Sequence, residues 1–164
     1  MKLTHARLTQ LLHYDPETGV FTRKTAPTNY VRVGDVAGYK NPAGYIMIMI
    51  DGEDHRAHRL VWLYMTGEWP KDEIDHINGI RDDNRFANLR EATKAQNSRN
   101  CKTPKSNTSG FKGVYLHKNY NKWAARIRVN KKRKHLGYFD TPEEAYDAYV
   151  SAAEVLHGEF ARTV

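Results

Sequence analysis

The sequence predicts an α+β protein made of two small domains in series, and three observations predict it. Helical and two-residue apolar periods both occur, each in its own segments. The formal charge of +7 over 164 residues is also local rather than spread. Residues 102–139 hold 11 basic residues and no acid, against 14 basic and 13 acidic in 1–101 and 1 against 6 in 140–164. Finally, residues 98–110 contain almost nothing apolar beyond Cys101, the composition of a linker. Together these place a first domain at 1–100, a linker at 101–110 and a second domain at 111–164.

The first 70 residues read as a helix and hairpin scaffold. Thr4 can cap a short helix with Leu8, Leu11 and Leu12 on one face. Asp15-Pro16-Glu17-Thr18-Gly19 then turns the chain into the extended Val20-Phe21-Thr22-Arg23. Tyr45 to Ile50 is β-branched and apolar and ends at Asp51-Gly52, a dipeptide suited to the positive φ angles of a tight hairpin. His58, Val61, Trp62 and Met65 fall at helical spacing and the pattern stops at Gly67 and Pro70, so this is a packing helix and His58 is given a structural role. Residues 74–97 follow as strand, polar loop, strand and short helix, with Ile74 and Leu89 as apolar anchors.

In the second domain, Val114 and Leu116 alternate with Tyr115 and His117, and Trp123, Ala125, Ile127 and Val129 alternate with Ala124, Arg126 and Arg128. These are half-buried strands. A third strand runs from Arg133 to Phe139. Thr141-Pro142-Glu143-Glu144 supplies an N-cap, a first-turn proline and a capping-box glutamate. The helix that follows carries Ala145, Tyr149, Ala152, Ala153 and Leu156 as its apolar stripe and ends near Gly158. A small three-stranded antiparallel sheet packed on one helix is about the minimum that buries a core at this size.

Composition excludes other classes. The longest apolar runs, Tyr45–Ile50 and Leu60–Met65, are too short to span a bilayer, and Met1 to Arg7 lacks the apolar core of a secretion signal. A soluble, cytoplasmic protein is expected. One cysteine rules out an intrachain disulfide and a four-cysteine structural zinc site, so a metal must bind mainly through oxygen or histidine. A basic run that holds Tyr115, Tyr120, Trp123, Tyr138 and Phe139 is a folded surface for a polyanion, since disordered basic tails lack aromatics.

The chemistry concentrates in residues 74–97. Asp75 and Asn97 can offer two oxygen ligands to a hard divalent cation, leaving positions for water and a phosphate oxygen, as Mg²⁺ prefers, with Mn²⁺ as the substitute. His76 stands beside them, and a neutral imidazole can take a proton from water near neutral pH. Asn88, 12 residues after His76, can orient it by a hydrogen bond, and Arg85 and Arg90 are available as phosphate clamps. Asp82, Asp83 and Asn84 are most simply turn and capping residues.

Asp75-His76, Asn84-Arg85, Asn88-Leu89-Arg90 and Gln96-Asn97 resemble the HNH endonuclease motif of the ββα-metal kind found in phage and intron homing endonucleases. The flank, Tyr14 to Gly19, Gly44-Tyr45, His58 to Trp62 and Thr66 to Pro70, is similar as well, so the resemblance covers about 14–100. It implies that His76 is the general base, Asp75 and Asn97 the metal ligands and Asn88 the residue that orients the histidine. Many relatives have histidine where Asn97 stands. Some also carry a cysteine-bound structural zinc, which one cysteine cannot form.

A second resemblance covers 110–160. Gly113-Val114, Lys122 to Ile127, Leu136 to Ala145, Ala152-Ala153 and His157-Gly158 look like the Apetala-two, or ethylene-response-factor, DNA-binding domain of plants, whose sheet lies in the major groove. Alternation puts Tyr115, His117, Arg126, Arg128, Arg133 and His135 on the face away from the helix, and these are the DNA-contact candidates. Arg126 and Arg128 contact guanine edges or phosphates, two options left even. The resulting expectation is a monomeric, metal-dependent, site-directed DNA endonuclease acting on double-stranded DNA. The rivals are a DNA-binding regulator with a degenerate HNH segment and an RNA-binding structural protein.

Overall fold

A computed structural model describes residues 2–100, 103, 107–130 and 132–162. The chain divides into two compact units, Met1–Lys94 and Ala95–Val164. Much of the expected linker, Cys101, Lys102 and 104–106, lies outside the described residues, as does Lys131. Asn107 to Gly110 do not behave as linker. The Asn107 side chain accepts from Ser109 N and Gly110 N and donates to Phe111 O, while Ser109 Oγ donates to Val114 O. This Asx-type turn belongs to the second unit, because its amide and hydroxyl satisfy the backbone at the first strand of the sheet there.

In the first unit, α1 (His5–Leu11) starts at Thr4, whose side chain accepts from Arg7 N. It stops one residue earlier than the apolar spacing suggests. Leu12 opens β1 (Leu12–Asp15), which pairs antiparallel with β2 (Val20–Arg23). The turn decides this: Asp15 accepts from Glu17 N and Thr18 Oγ, which closes a tight hairpin and demands a strand on both sides. A three-stranded sheet follows, in the order β3 (Tyr39–Lys40), β4 (Ile46–Ile50) and β5 (Glu53–Arg56). Its β4–β5 turn places Asp51 at φ 50° and Gly52 at φ 86°.

Helix α2 (Ala57–Thr66) ends on Gly67 in the left-handed conformation. It buries Ala57, His58, Leu60, Val61 and Leu63, while Met65, expected inside, is exposed. The buried stripe is broad and shifted because α2 packs against α1, β4 and β5 together rather than against one surface. Leu8, Leu12, Ile48, Leu60, Val61 and Leu63 are fully buried, and this core extends to Tyr14, Phe21, Ile74 and Leu89. Over it lies the antiparallel pair of β6 (Glu73–His76) and β7 (Leu89–Ala92), with α3 (Lys94–Arg99) after them, so strand, loop, strand and helix occur in the expected order.

The second unit contains the antiparallel sheet β8 (Val114–His117), β9 (Lys122–Val129) and β10 (Lys132–Phe139), with β9 central. Helix α4 (Pro142–His157) crosses one face and buries Ala145, Tyr149 and Ala153 against Val114, Ala125 and Ile127. The capping box at Thr141 and Glu144 is formed. Such a cap is worth about 1 kcal/mol. Gly113, at φ 78°, lies against the Tyr149 ring, so any side chain there would collide with the aromatic that plugs the core. Among the described residues no helix is long and apolar enough to cross a membrane.

Candidate functional site

The β6–β7 pair delivers the first group of functional side chains. His76 ends β6 opposite Leu89, and Asp75 lies opposite Arg90. Both Asp75 and His76 are buried, at 4% and 5% exposure. A buried carboxylate needs partners. Arg90 supplies them, with Nε 3.0 Å and Nη2 2.8 Å from Asp75 Oδ2. Arg85 likewise donates to Asp83, through Nε at 2.8 Å and Nη2 at 2.6 Å, and that pairing holds the Asp83 carboxyl down at about 2. The two arginines expected to clamp phosphate are thus both engaged by carboxylates of the same motif.

The orientation of His76 corrects the sequence expectation. His76 Nε2 lies 3.2 Å from Oδ1 of Asn84, not of Asn88. The Asn84 amide is fixed by its Nδ2, which reaches Asp82 O at 3.4 Å, and its backbone carbonyl accepts from Tyr14 Oη at 2.9 Å. With a carbonyl oxygen at Nε2, the proton is assigned to that nitrogen and Nδ1 carries the lone pair. Asn88 serves the loop instead. Its Oδ1 accepts from Asn78 N, and its Nδ2 donates to Asn78 Oδ1 and Asp83 O. Those bonds span the polar loop from 78 to 88 and turn the Asn88 amide toward Asn78 and Asp83. Asn84, read as a turn residue, is 2% exposed and holds the imidazole at Nε2.

His58 and Tyr45 complete the surroundings. The His58 ring meets His76 edge to face at 4.9 Å, and Tyr45 lies 5.3 Å from His58 and 6.1 Å from His76. His58 is 3% exposed and its Nδ1 has no hydrogen-bond partner among the described residues. Burial pushes its pKa down to about 3, so it is neutral at physiological pH. Burial also lowers the pKa of His76, outweighing the opposing effects of the Asn84 hydrogen bond and the Asp75 carboxylate. The imidazole is therefore in its basic, uncharged form at neutral pH.

Asn97, half-buried on α3, belongs to the second compact unit, whereas Asp75 and His76 belong to the first. Among the described residues no three His, Cys, Asp or Glu side chains converge as a self-sufficient metal cluster. Carboxylate and amide oxygens are nonetheless the hard donors that Mg²⁺ or Mn²⁺ takes, with water and phosphate filling the remaining positions.

The sheet of the second unit gathers a different set. The register pairs Tyr115 with Ala124, His117 with Lys122, Arg126 with His135 and Arg128 with Arg133, all six candidates lying on the face opposite α4. The Arg126 guanidinium lies over the Tyr115 ring at 4.6 Å. Strand alternation alone misses Tyr138. A register shift between His135 and Gly137 leaves Leu136 as an extra residue turned to the core and returns Tyr138 to the outer face, opposite Ala124. There Tyr138 packs on His135 at 4.5 Å and edge-on to His117 and Tyr120, which stack on each other at 4.7 Å. The face is cationic at one end and aromatic at the other.

A family model described as HNH endonuclease matches residues 55–99, and one described as AP2 domain matches 109–159. The chain is 40% identical over 108 residues to Protein 3.8 of Escherichia phage T7, an alignment spanning 65% of this chain and 88% of that protein. It is 33% identical over 125 residues to the uncharacterized HNH endonuclease L560 of Acanthamoeba polyphaga mimivirus, covering 75% of this chain and 64% of the relative. A solved structure of DNA binding and cleavage by the HNH homing endonuclease I-HmuI is similar at 18% identity and a TM-score of 0.42, over 90% of this chain and 85% of that one.

Proposed function

The chain belongs to the family of Protein 3.8 of Escherichia phage T7 and joins an HNH endonuclease segment to an AP2 domain, and from this premise we propose that it is a site-directed, homing-type DNA endonuclease. The domains are 1–100 for hydrolysis and 111–164 for holding double-stranded DNA. The protein acts as a monomer in the cytoplasm of a phage-infected host. The observation that carries the reading is the state of His76: buried, neutral, and held at Nε2 by Asn84 so that Nδ1 is the base.

His76 Nδ1 accepts a proton from a water whose oxygen attacks the scissile phosphorus. The phosphorus–O3′ bond breaks, and the departing O3′ takes a proton from solvent, leaving a 5′-phosphate and a 3′-hydroxyl. A divalent cation bound by Asp75 and Asn97, Mg²⁺ or Mn²⁺, would supply positive charge at the phosphate and at the departing oxygen. Arg90 holds the Asp75 carboxylate in place with two hydrogen bonds, and Asn88 ties the loop together through Asn78 and Asp83. The outer sheet face, with Tyr115, His117, Arg126, Arg128, Arg133 and His135, grips the duplex.

Two measurements test this. Purified protein should nick supercoiled plasmid in Mg²⁺ or Mn²⁺ and not in EDTA. Mn²⁺ binding followed by electron paramagnetic resonance should weaken at least tenfold in Asp75→Ala and in Asn97→Ala. DNA binding with no nicking in either metal would identify a regulator with a degenerate HNH segment.

A further inference from the structure

Two guanidiniums close to His76, those of Arg56 and Arg81, are not consumed by carboxylates. Each lies over the ring of Tyr45, with its central carbon 5.0 Å from the ring centroid. That same ring is 6.1 Å from His76 and 5.3 Å from His58. Arg56 sits at the end of β5, immediately before the helix that carries His58, and Arg81 in the loop that follows His76. Arg81 Nη1 donates to Ala43 O at 2.8 Å. Neither arginine forms an ion pair with a carboxylate among the described residues. Both side chains are exposed.

We infer that Arg56 and Arg81, ordered on Tyr45, form the DNA-phosphate clamp beside His76, in place of Arg85 and Arg90. This rests on the endonuclease reading. A guanidinium held over an aromatic ring is attracted to it without a carboxylate partner, so its N–H groups can still make two parallel hydrogen bonds to two oxygens of one phosphate. The aromatic ring restrains two long, entropically costly side chains without neutralising them. A carboxylate partner would do the opposite, as Asp83 does to Arg85. The clamp places two positive charges on the ring beside His76, attracting phosphate to the base without a bond to the imidazole itself. Arg81 also comes with a fixed backbone anchor, so its reach is limited to one side of the site.

The test compares Arg56→Gln, Arg81→Gln and the double variant of the full-length protein with Arg7→Gln, which removes an exposed cation paired with Asp51. Two readouts are taken: the slope of log binding constant against log salt on a duplex without divalent metal, and single-turnover nicking in Mg²⁺. The double variant should lower the slope by about 2, one for each phosphate that is no longer neutralised, and each single variant should slow nicking on the order of tenfold. Arg7→Gln should change neither. An unchanged slope in the double variant overturns the clamp, and so does a lower slope with nicking at wild-type rate, because the two arginines would then hold phosphates away from the scissile one. If wild-type protein never nicks, the endonuclease reading fails by itself, and the slope alone then decides whether the two arginines hold phosphate. Circular dichroism melts of all variants separate weaker phosphate binding from unfolding. Arg56→Lys and Arg81→Lys, which keep charge but not the bidentate edge, should recover the slope but only part of the nicking rate.

Discussion

The HNH site and the outer face of the AP2 sheet use the same residue types in opposite ways. Around His76 the polar groups spend their hydrogen bonds on each other: Arg90 on Asp75, Arg85 on Asp83, Asn84 on His76, Asn88 on Asn78 and Asp83. On the sheet, Arg126, Arg128 and Arg133 stand on the face opposite α4 by strand alternation, and the bulge before Gly137 brings Tyr138 to the same face. In the first region stability and chemistry are one network, so a substitution should cost both. In the second, a substitution should cost binding alone.

The largest break in that contrast is expected from Arg90→Ala. It leaves the Asp75 carboxylate buried without its guanidinium, a change worth about 3–5 kcal/mol, and urea melts should show the first domain losing most of its stability. Removing Arg128 in the same assay should leave the melt within about 0.5 kcal/mol, as for an exposed position. Next comes Asn84→Ala, which frees the imidazole to rotate. Nicking should slow by about 10²-fold, or about 2.7 kcal/mol of barrier, with DNA affinity within twofold of wild type. If Asn88→Ala instead gave the pure rate effect and Asn84→Ala did not, the assignment of the orienting residue would be reversed.

A smaller effect, about 1.4 kcal/mol per pH unit, separates the regions by acid sensitivity. The folded-state pKa of His58 is depressed to about 3, below its unfolded value of 6.5. Between those limits the unfolded chain holds a proton that the folded chain does not, so stability should fall as pH falls through that window. The lowered pKa of His76 acts in the same direction. His58→Phe should flatten the pH dependence by about one proton in chemical-denaturation series between pH 6 and 4, and an unchanged slope would mean that His58 is not buried neutral. Smallest are the single sheet variants. Arg126→Ala, Arg128→Ala and Arg133→Ala should each lower the salt slope of DNA binding by about 1 if they touch phosphate. If they read guanine edges, they should instead lose about 1–3 kcal/mol of sequence discrimination.

What the sequence discloses follows from whether a feature is periodic. The Asp51-Gly52 hairpin, the capping box at Thr141, the strand, loop, strand and helix of 74–97 and the six sheet candidates all come from local rules, and all are found where those rules put them. Leu12 fits a helical spacing but lies in β1, because the Asp15 turn outweighs one more helical residue. Tyr138 defeats alternation because the bulge before Gly137 adds a residue to the count. The exchange of Asn84 for Asn88 could not be read at all. Two asparagines in one loop have the same chemistry, and which one reaches the imidazole depends on loop closure, fixed from outside the motif by Tyr14 and by Gly19, which packs against the backbone of Asn84 and Arg85. The cluster of Arg56, Tyr45 and Arg81 likewise joins three segments with no common spacing.

The central claim is that a neutral His76 drives hydrolysis of DNA held by the other domain, and single-turnover cleavage of an end-labelled duplex at saturating protein tests it most directly. His76→Ala should cut the rate by about 10²–10⁴-fold in Mg²⁺ while leaving DNA occupancy unchanged. Cleavage by His76→Ala at the wild-type rate and at the same positions would contradict it.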